Sequence, residues 1–168
     1  KCTKSGDDLV VKYGENYSGR LTIEDYYTKS LNRIFVLGEA TKNINTLRIY
    51  VEGTADDDTL SNDPMAQTYI YAGKGSDTIN ADNDVETTLF LAAADGQKTV
   101  NWTKGTHKFN VEVTSTLLYE SSRLLKNGDN LEIQYSAHNT DRVVFPDFFA
   151  KTSEEQTEYA ENMDISEE

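Results

Sequence analysis

Three short stretches of this 168-residue chain put an ionisable side chain at the same point of a recurring pattern. Asp58-Thr59-Leu60 aligns with Asp77-Thr78-Ile79 at a spacing of 19 residues, and that stretch aligns with Lys98-Thr99-Val100 at a spacing of 21. Small-residue turns lead into them, "GTADDD" at 53–58, "GKGSD" at 73–77 and "AAADGQ" at 92–97. If such units stack, residues one period apart lie about 4.8 Å from each other, the spacing of neighbouring strands. Two carboxylates at that separation repel unless a cation lies between them. A hard divalent cation, Ca²⁺ above all, takes roughly six to eight oxygen ligands. Aspartates supply some of these, and the carbonyls of tight glycine turns supply the rest, because glycine lets the backbone curl close. The candidate metal residues are therefore Asp56, Asp57, Asp58 and Asp77, with Gly53, Gly73 and Gly75 as turn formers. The third unit departs from the pattern, since Lys98 stands where an acid is expected. An ammonium ends a metal row and pairs with Asp77. The expectation is one ion between Asp58 and Asp77 with Lys98 above it. The competing reading is that both are turn aspartates capping their own backbone.

These residues need elements to hold them. Apolar runs recur before the turns, "LRIYV" at 47–51, "TYIY" at 68–71 and "TLFLA" at 88–92. A period near 20 with β-branched and aromatic strands, and no helical pattern between, predicts a β-solenoid. The fold class expected is all-β, a small parallel β-roll of three coils over about 46–103.

A longer repeat flanks this roll. "GDDLVVKYGENYSGRLTIEDYYTK" (6–29) aligns without a gap to "GDNLEIQYSAHNTDRVVFPDFFAK" (128–151), an offset of 122 residues. Leu9, Val11 and Tyr13 alternate with other positions, as do Leu21 and Ile23, so each copy predicts an antiparallel hairpin, 6–27 and 128–149. The chain then reads as a module at 1–127 and the opening of the next at 128–168. Residues 106–127 hold a strand (108–114) and a linker. "SLNRIFVL" (30–37) reads as a further strand. The acidic tail shows capping-box spacing at Thr152/Glu155 and at Ser153/Gln156. It forms a short helix at about 153–163 or a frayed end.

"GKGSDTI" resembles the calcium-binding nonapeptide G-G-x-G-x-D-x-U-x of RTX proteins, and "GTADDDTL" resembles a variant of it. With "GDNLEIQY…DRVVFPDFF" after the roll, the chain is similar to haemolysin-type calcium-binding proteins. The resemblance implies a right-handed parallel β-roll in a large secreted bacterial protein, exported by a type I system and folding on external Ca²⁺. It assigns ion binding to Asp58, Asp77 and the turn carbonyls. Asp56 stands for a repeat glycine, Ala72 for another, and the third copy lacks both first glycines and the aspartate, so few ions are expected. Asp63-Pro64 matches the bond cut in some RTX self-cleaving modules. The wider sequence of such a module is missing here, and a plain turn is expected.

Composition narrows the function classes. The formal charge is −13, from 29 acids and 16 bases, which favours cations and disfavours nucleic acid, anionic membranes and anionic polysaccharides. No apolar run is long enough to span a membrane. The only cysteine, Cys2, excludes a disulfide framework within the chain. No signal peptide is visible, and the start reads as an internal cut in a longer protein. His107 and His138 have no acid–histidine–nucleophile spacing and read as surface or structural residues. Asp82, Asp84 and Glu86 read as a solvated opposite turn. Trp102, Phe109 and the tyrosines read as packing residues. No P-loop, HExxH or GxSxG occurs, so a non-enzymatic module is expected. The alternatives are a receptor- or glycan-binding repeat of an adhesin or toxin, with an exposed tyrosine row as its platform, and a targeting module on a secreted enzyme.

Overall fold

A computed structural model describes residues 1–28, 34–37, 40–43, 48–82, 84–102, 107–114 and 123–167, with the backbone alone described at 34–37 and 40–43. The described residues are mostly β, with two mixed sheets, one short C-terminal helix and no closed barrel among them, as the strand patterns predict.

The first sheet is built on a parallel stack. β6 (Ile49–Glu52), β8 (Thr68–Tyr71), β10 (Thr87–Leu91), β12 (Phe109–Val113) and β16 (Met163–Glu167) pair one on the next. The second stacks β7 (Thr59–Ser61), β9 (Asp77–Ala81), β11 (Gln97–Trp102) and β15 (Arg142–Phe145). Parallel neighbours need a crossover between them, and here the turns at 53–58, 72–77 and 92–97 carry the chain from one sheet to the other. The result is a two-sheeted roll.

Alternation decides which side chains enter it. Val51, Ile70, Leu89 and Val111 share one register across the first sheet and are buried. Ile79 and Val100 face them from the second sheet, with Leu60 partly buried beside them. Outward positions of the first sheet carry a ring ladder. Tyr71 stacks on Phe90 at 4.6 Å with planes 3° apart, and Tyr50 lies parallel to Tyr71 at 6.2 Å.

Both flanking repeats form the antiparallel hairpins that their alternation predicts, and a strand just before each repeat extends the hairpin to a three-stranded meander. The first is β1 (Cys2–Ser5), β2 (Asp8–Tyr13) and β3 (Gly19–Ile23). The second is β13 (Arg123–Asn127), β14 (Asn130–Gln134) and β15. The parallel stack therefore runs beyond 103, because β12, β15 and β16 continue it, and the 128–149 hairpin contributes a strand to the roll. Part of the 106–127 linker is strand β13, which pairs antiparallel with β14 across the turn at 128–129, and its sequence "RLLKN" has no apolar–polar alternation to mark it.

The predicted strand in 30–37 is present as β4 (Ile34–Leu37), paired with β5 (Ala40–Asn43), while residues 30–33 lie outside the described residues. Residues 46–47, 103–106 and 115–122 of the predicted coil and linker ranges also lie outside them. The tail forms α1 (Ser153–Asn162), with the capping box closed between Thr152 and Glu155. Glu154 and Glu155 in its first turn suit the positive end of the helix dipole. Tyr159 packs edge-on against Trp102 at 4.7 Å and donates its hydroxyl to the Trp102 carbonyl at 2.6 Å, docking the helix on the end of β11.

Candidate functional site: the turn column

The charged column lies where the turns enter the second sheet. In-register pairing puts Thr59 beside Thr78 and Asp77 beside Lys98, as the 19- and 21-residue spacings require. Asp77 and Lys98 share the face of Ile79 and Val100, so they point into the roll and are fully buried.

Lys98 is held as a cation is held in an oxygen cage. Its Nζ lies 2.7 Å from Asp77 Oδ2, and it donates to the Asp95 carbonyl at 2.6 Å and the Gly75 carbonyl at 3.1 Å. The ammonium thus donates two hydrogen bonds to turn carbonyls and meets Asp77 Oδ2 as an ion pair. Asp77 Oδ1 accepts the Asp58 N–H at 2.8 Å. Burying two charges costs several kcal/mol per ion, on the order of the attraction gained, unless hydrogen bonds complete the site. Here they do.

Asp58 serves its own turn. Its Oδ2 accepts the Thr54 N–H at 2.6 Å and the Thr54 hydroxyl at 2.9 Å. Asp57 reaches the next coil, accepting the Ser76 N–H at 2.7 Å. Asp56 and Asp57 are exposed at the tip of the first turn. The glycines are needed because the turns nearly touch. A Cβ on Gly53 would meet the Ala72 carbonyl oxygen at 2.2 Å, and one on Gly73, at φ +78°, would meet the Thr54 carbonyl oxygen at 2.1 Å. Gly75, at φ +111°, lies beside the Asp56 carbonyl. The structure thus brings all seven predicted residues to one edge. Asp77 turns its carboxylate to Lys98 and to the Asp58 amide, and Asp58 turns its own to Thr54. Among the described residues, no group of three or more His, Cys, Asp or Glu side chains is disposed to hold a metal.

One member of the column escaped the sequence reading. Asp141 is fully buried and grips the third turn from the fourth coil. It accepts the Ala94 N–H at 2.8 Å, the Gly96 N–H at 3.1 Å and the Ser136 hydroxyl at 2.5 Å. Beside it the Tyr135 hydroxyl donates to the Gly96 carbonyl at 2.5 Å, and burial with the surrounding carboxylates pushes its ionisation far up. Asp95 caps the same turn through the Ala92 N–H at 2.7 Å, and burial raises its pKa above the ordinary aspartate value. The available signal was a departure in the long repeat, where Asp141 and Ser136 stand opposite Gly19 and Gly14.

The remaining candidates are ordinary. Asp63 Oδ1 accepts the Met65 and Ala66 N–H groups at 2.7 and 2.9 Å, so Asp63-Pro64 is a side-chain-capped turn. His107 is exposed, 3.0 Å from Asp84 Oδ1, and His138 is exposed on the 136–141 turn. The Cys2 thiol is buried, which raises its pKa. No described helix is long and apolar enough to cross a membrane. The turn column is therefore a set of carboxylates and one ammonium that tie each turn to its neighbours, in a chain that matches no family model and no curated protein.

Proposed function

We infer that this chain is a non-enzymatic structural module of a secreted, RTX-type protein, a short β-roll whose charged column holds coil to coil. The observation that carries this reading is the destination of the ladder charges. Asp57, Asp77 and Asp141 each accept backbone N–H groups from a neighbouring turn, and Lys98 bridges two turns through their carbonyls. Such groups build a scaffold. In this reading Lys98 neutralises Asp77 from within, so that rung needs no metal. The role proposed for external Ca²⁺ is confined to the first turn, where the exposed Asp56 and Asp57 precede Asp58 in the chain. An ion there relieves the repulsion of three consecutive acids and stabilises the folded state by RT ln(1 + [L]/Kd). Calorimetric Ca²⁺ titration with thermal melting on the same sample tests this. Melting should rise at millimolar Ca²⁺, and Asp56→Asn with Asp57→Asn should abolish the rise. An unchanged melting temperature in the wild-type chain would sink the calcium role. Lys98→Met should cost about 3–5 kcal/mol, because it strands a buried carboxylate. A neutral result would sink the scaffold role of the column.

The second reading is a receptor- or glycan-binding repeat, favoured by the outward ring ladder of Tyr50, Tyr71 and Phe90, with Tyr69 edge-on to Tyr50 at 5.6 Å. Tyr71, 40% exposed, is the ring of this ladder that a ligand can reach. Binding on a glycan array that disappears with Tyr71→Ala would support it.

A further inference from the structure

The two copies of the 122-residue repeat fold into one meander in one register. Cys2 opposite Val11 corresponds to Leu124 opposite Ile133, and Leu9 opposite Ile23 corresponds to Leu131 opposite Phe145. Their edges are used in opposite senses. Among the described residues, in the first copy β1 docks parallel on β6 and β3 is the open edge. In the second, β15 docks parallel on β11 and β13 is the open edge among the described residues. Exposure follows the edges. Leu21 on open β3 is 48% exposed, and its counterpart Val143 is 0% exposed. Leu124 on open β13 is 69% exposed, and its counterpart Cys2 is 9% exposed. Each copy shows filled the edge that the other shows empty.

We propose that the meander is a two-sided junction between consecutive rolls. Its β13 edge receives the first-coil strand, equivalent to β6, of a following copy of this unit. Its β3 edge receives the last-coil strand, equivalent to β11, of a preceding copy. The internal precedent sets the registers. Leu124 and Leu125 lie opposite the following copy's Ile49 and Tyr50, as Cys2 and Thr3 do within this chain. Arg20, Leu21 and Thr22 lie opposite the preceding copy's Gln97, Lys98 and Thr99, as Arg142, Val143 and Val144 do. The open edges supply unpaired backbone donors and acceptors, and Leu21, Tyr13 and Leu124 supply the apolar surface. The second sheet of one roll then runs through the three junction strands into the first sheet of the next. The β3 contact is made without the Asp141 clamp, because Gly19 stands at that position.

The junction rests on reading the chain as a structural module and is independent of calcium. Its test is a tandem chain in which residues 1–151 run directly into residues 30–168, so that one meander serves two rolls. Hydrogen exchange is followed in this chain and in the single chain. The outward-facing amides of Arg123–Asn127 should slow by about a hundredfold or more in the tandem chain, because closing an edge removes a local opening. Leu124→Asp, silent in the single chain, should abolish the slowing. Unchanged exchange at Arg123–Asn127 with protected roll strands overturns the junction and leaves the module reading standing. Unprotected roll strands in the single chain overturn the module reading and the junction with it.

Discussion

The first meander and the second share a register and differ in what they belong to. Ile133, Tyr135, Val143 and Phe145 of the second lie in the main core with Ile79, Val100 and Phe109. Their counterparts in the first are divided. Val11 joins a smaller cluster with Cys2, Leu9, Tyr26, Ile49 and Ala66, while Tyr13 and Leu21 face outward. Hairpin register is a local property, set by alternation and turn length. Burial is decided by which edge docks, and that is settled by strands far away in the chain. The same sequence pattern therefore yields a core element at one end and a half-solvated cap at the other.

The comparison breaks most sharply at the tyrosines. Tyr135→Ala should cost about 3–5 kcal/mol, since it empties a fully buried aromatic site, whereas Tyr13→Ala, at a 56% exposed position, should stay within about 0.5 kcal/mol. Chemical denaturation of the two variants reads this directly, and equal losses would refute the asymmetry. Next comes the clamp. Asp141→Ala leaves two turn amides and a hydroxyl without their acceptor and should cost about 3 kcal/mol. Gly19→Ala, at the matching position, meets first the ring of exposed Tyr13, which can swing away, and should fall within about 0.5 kcal/mol. A thermal melt separates these outcomes.

The docked and open edges give a smaller contrast. Cys2→Ser puts a hydroxyl into a buried site and should cost about 1 kcal/mol, while Leu124→Ser should be close to neutral.

The smallest effect is a pH dependence present in one meander alone. The Asn127 amide and the Arg142 guanidinium hold Glu132 below its ordinary value of 4.5. A lowered folded pKa means that this stability is fully present above pH 4.5 and is lost as pH falls through the folded value. Val10 occupies the matching place in the first meander, so that copy has no such contribution. Glu132→Gln should flatten the acid limb of a melting-temperature profile, and an unaltered limb would count against the assignment.

Much of this was legible beforehand. Strand alternation and the turn residues marked the three coils, both β2–β3-type hairpins and the capping box at Thr152. The strands β1 and β13 were not legible, because "CTKS" and "RLLKN" acquire their pairing only from partners in the meanders. The turn column was legible as a position and in the pairing of Lys98 with Asp77, but not in its burial. Spacing placed Asp77 beside Lys98, but a carboxylate on a solvent edge and a carboxylate in a buried ion pair have the same spacing.

The sequence by itself determined the rungs, because parallel strands pair residue for residue and a fixed period lays equal positions over one another. It also determined the β2–β3 and β14–β15 hairpins, which alternation and the turn between the strands suffice to set. Tertiary structure alone decided that the Asp77–Lys98 column faces inward, that Asp141 closes the third turn, and that one meander docks by its first strand and the other by its last. Each of those depends on contacts between segments distant in the chain, and such contacts are chosen by the burial of the whole roll rather than by any local preference.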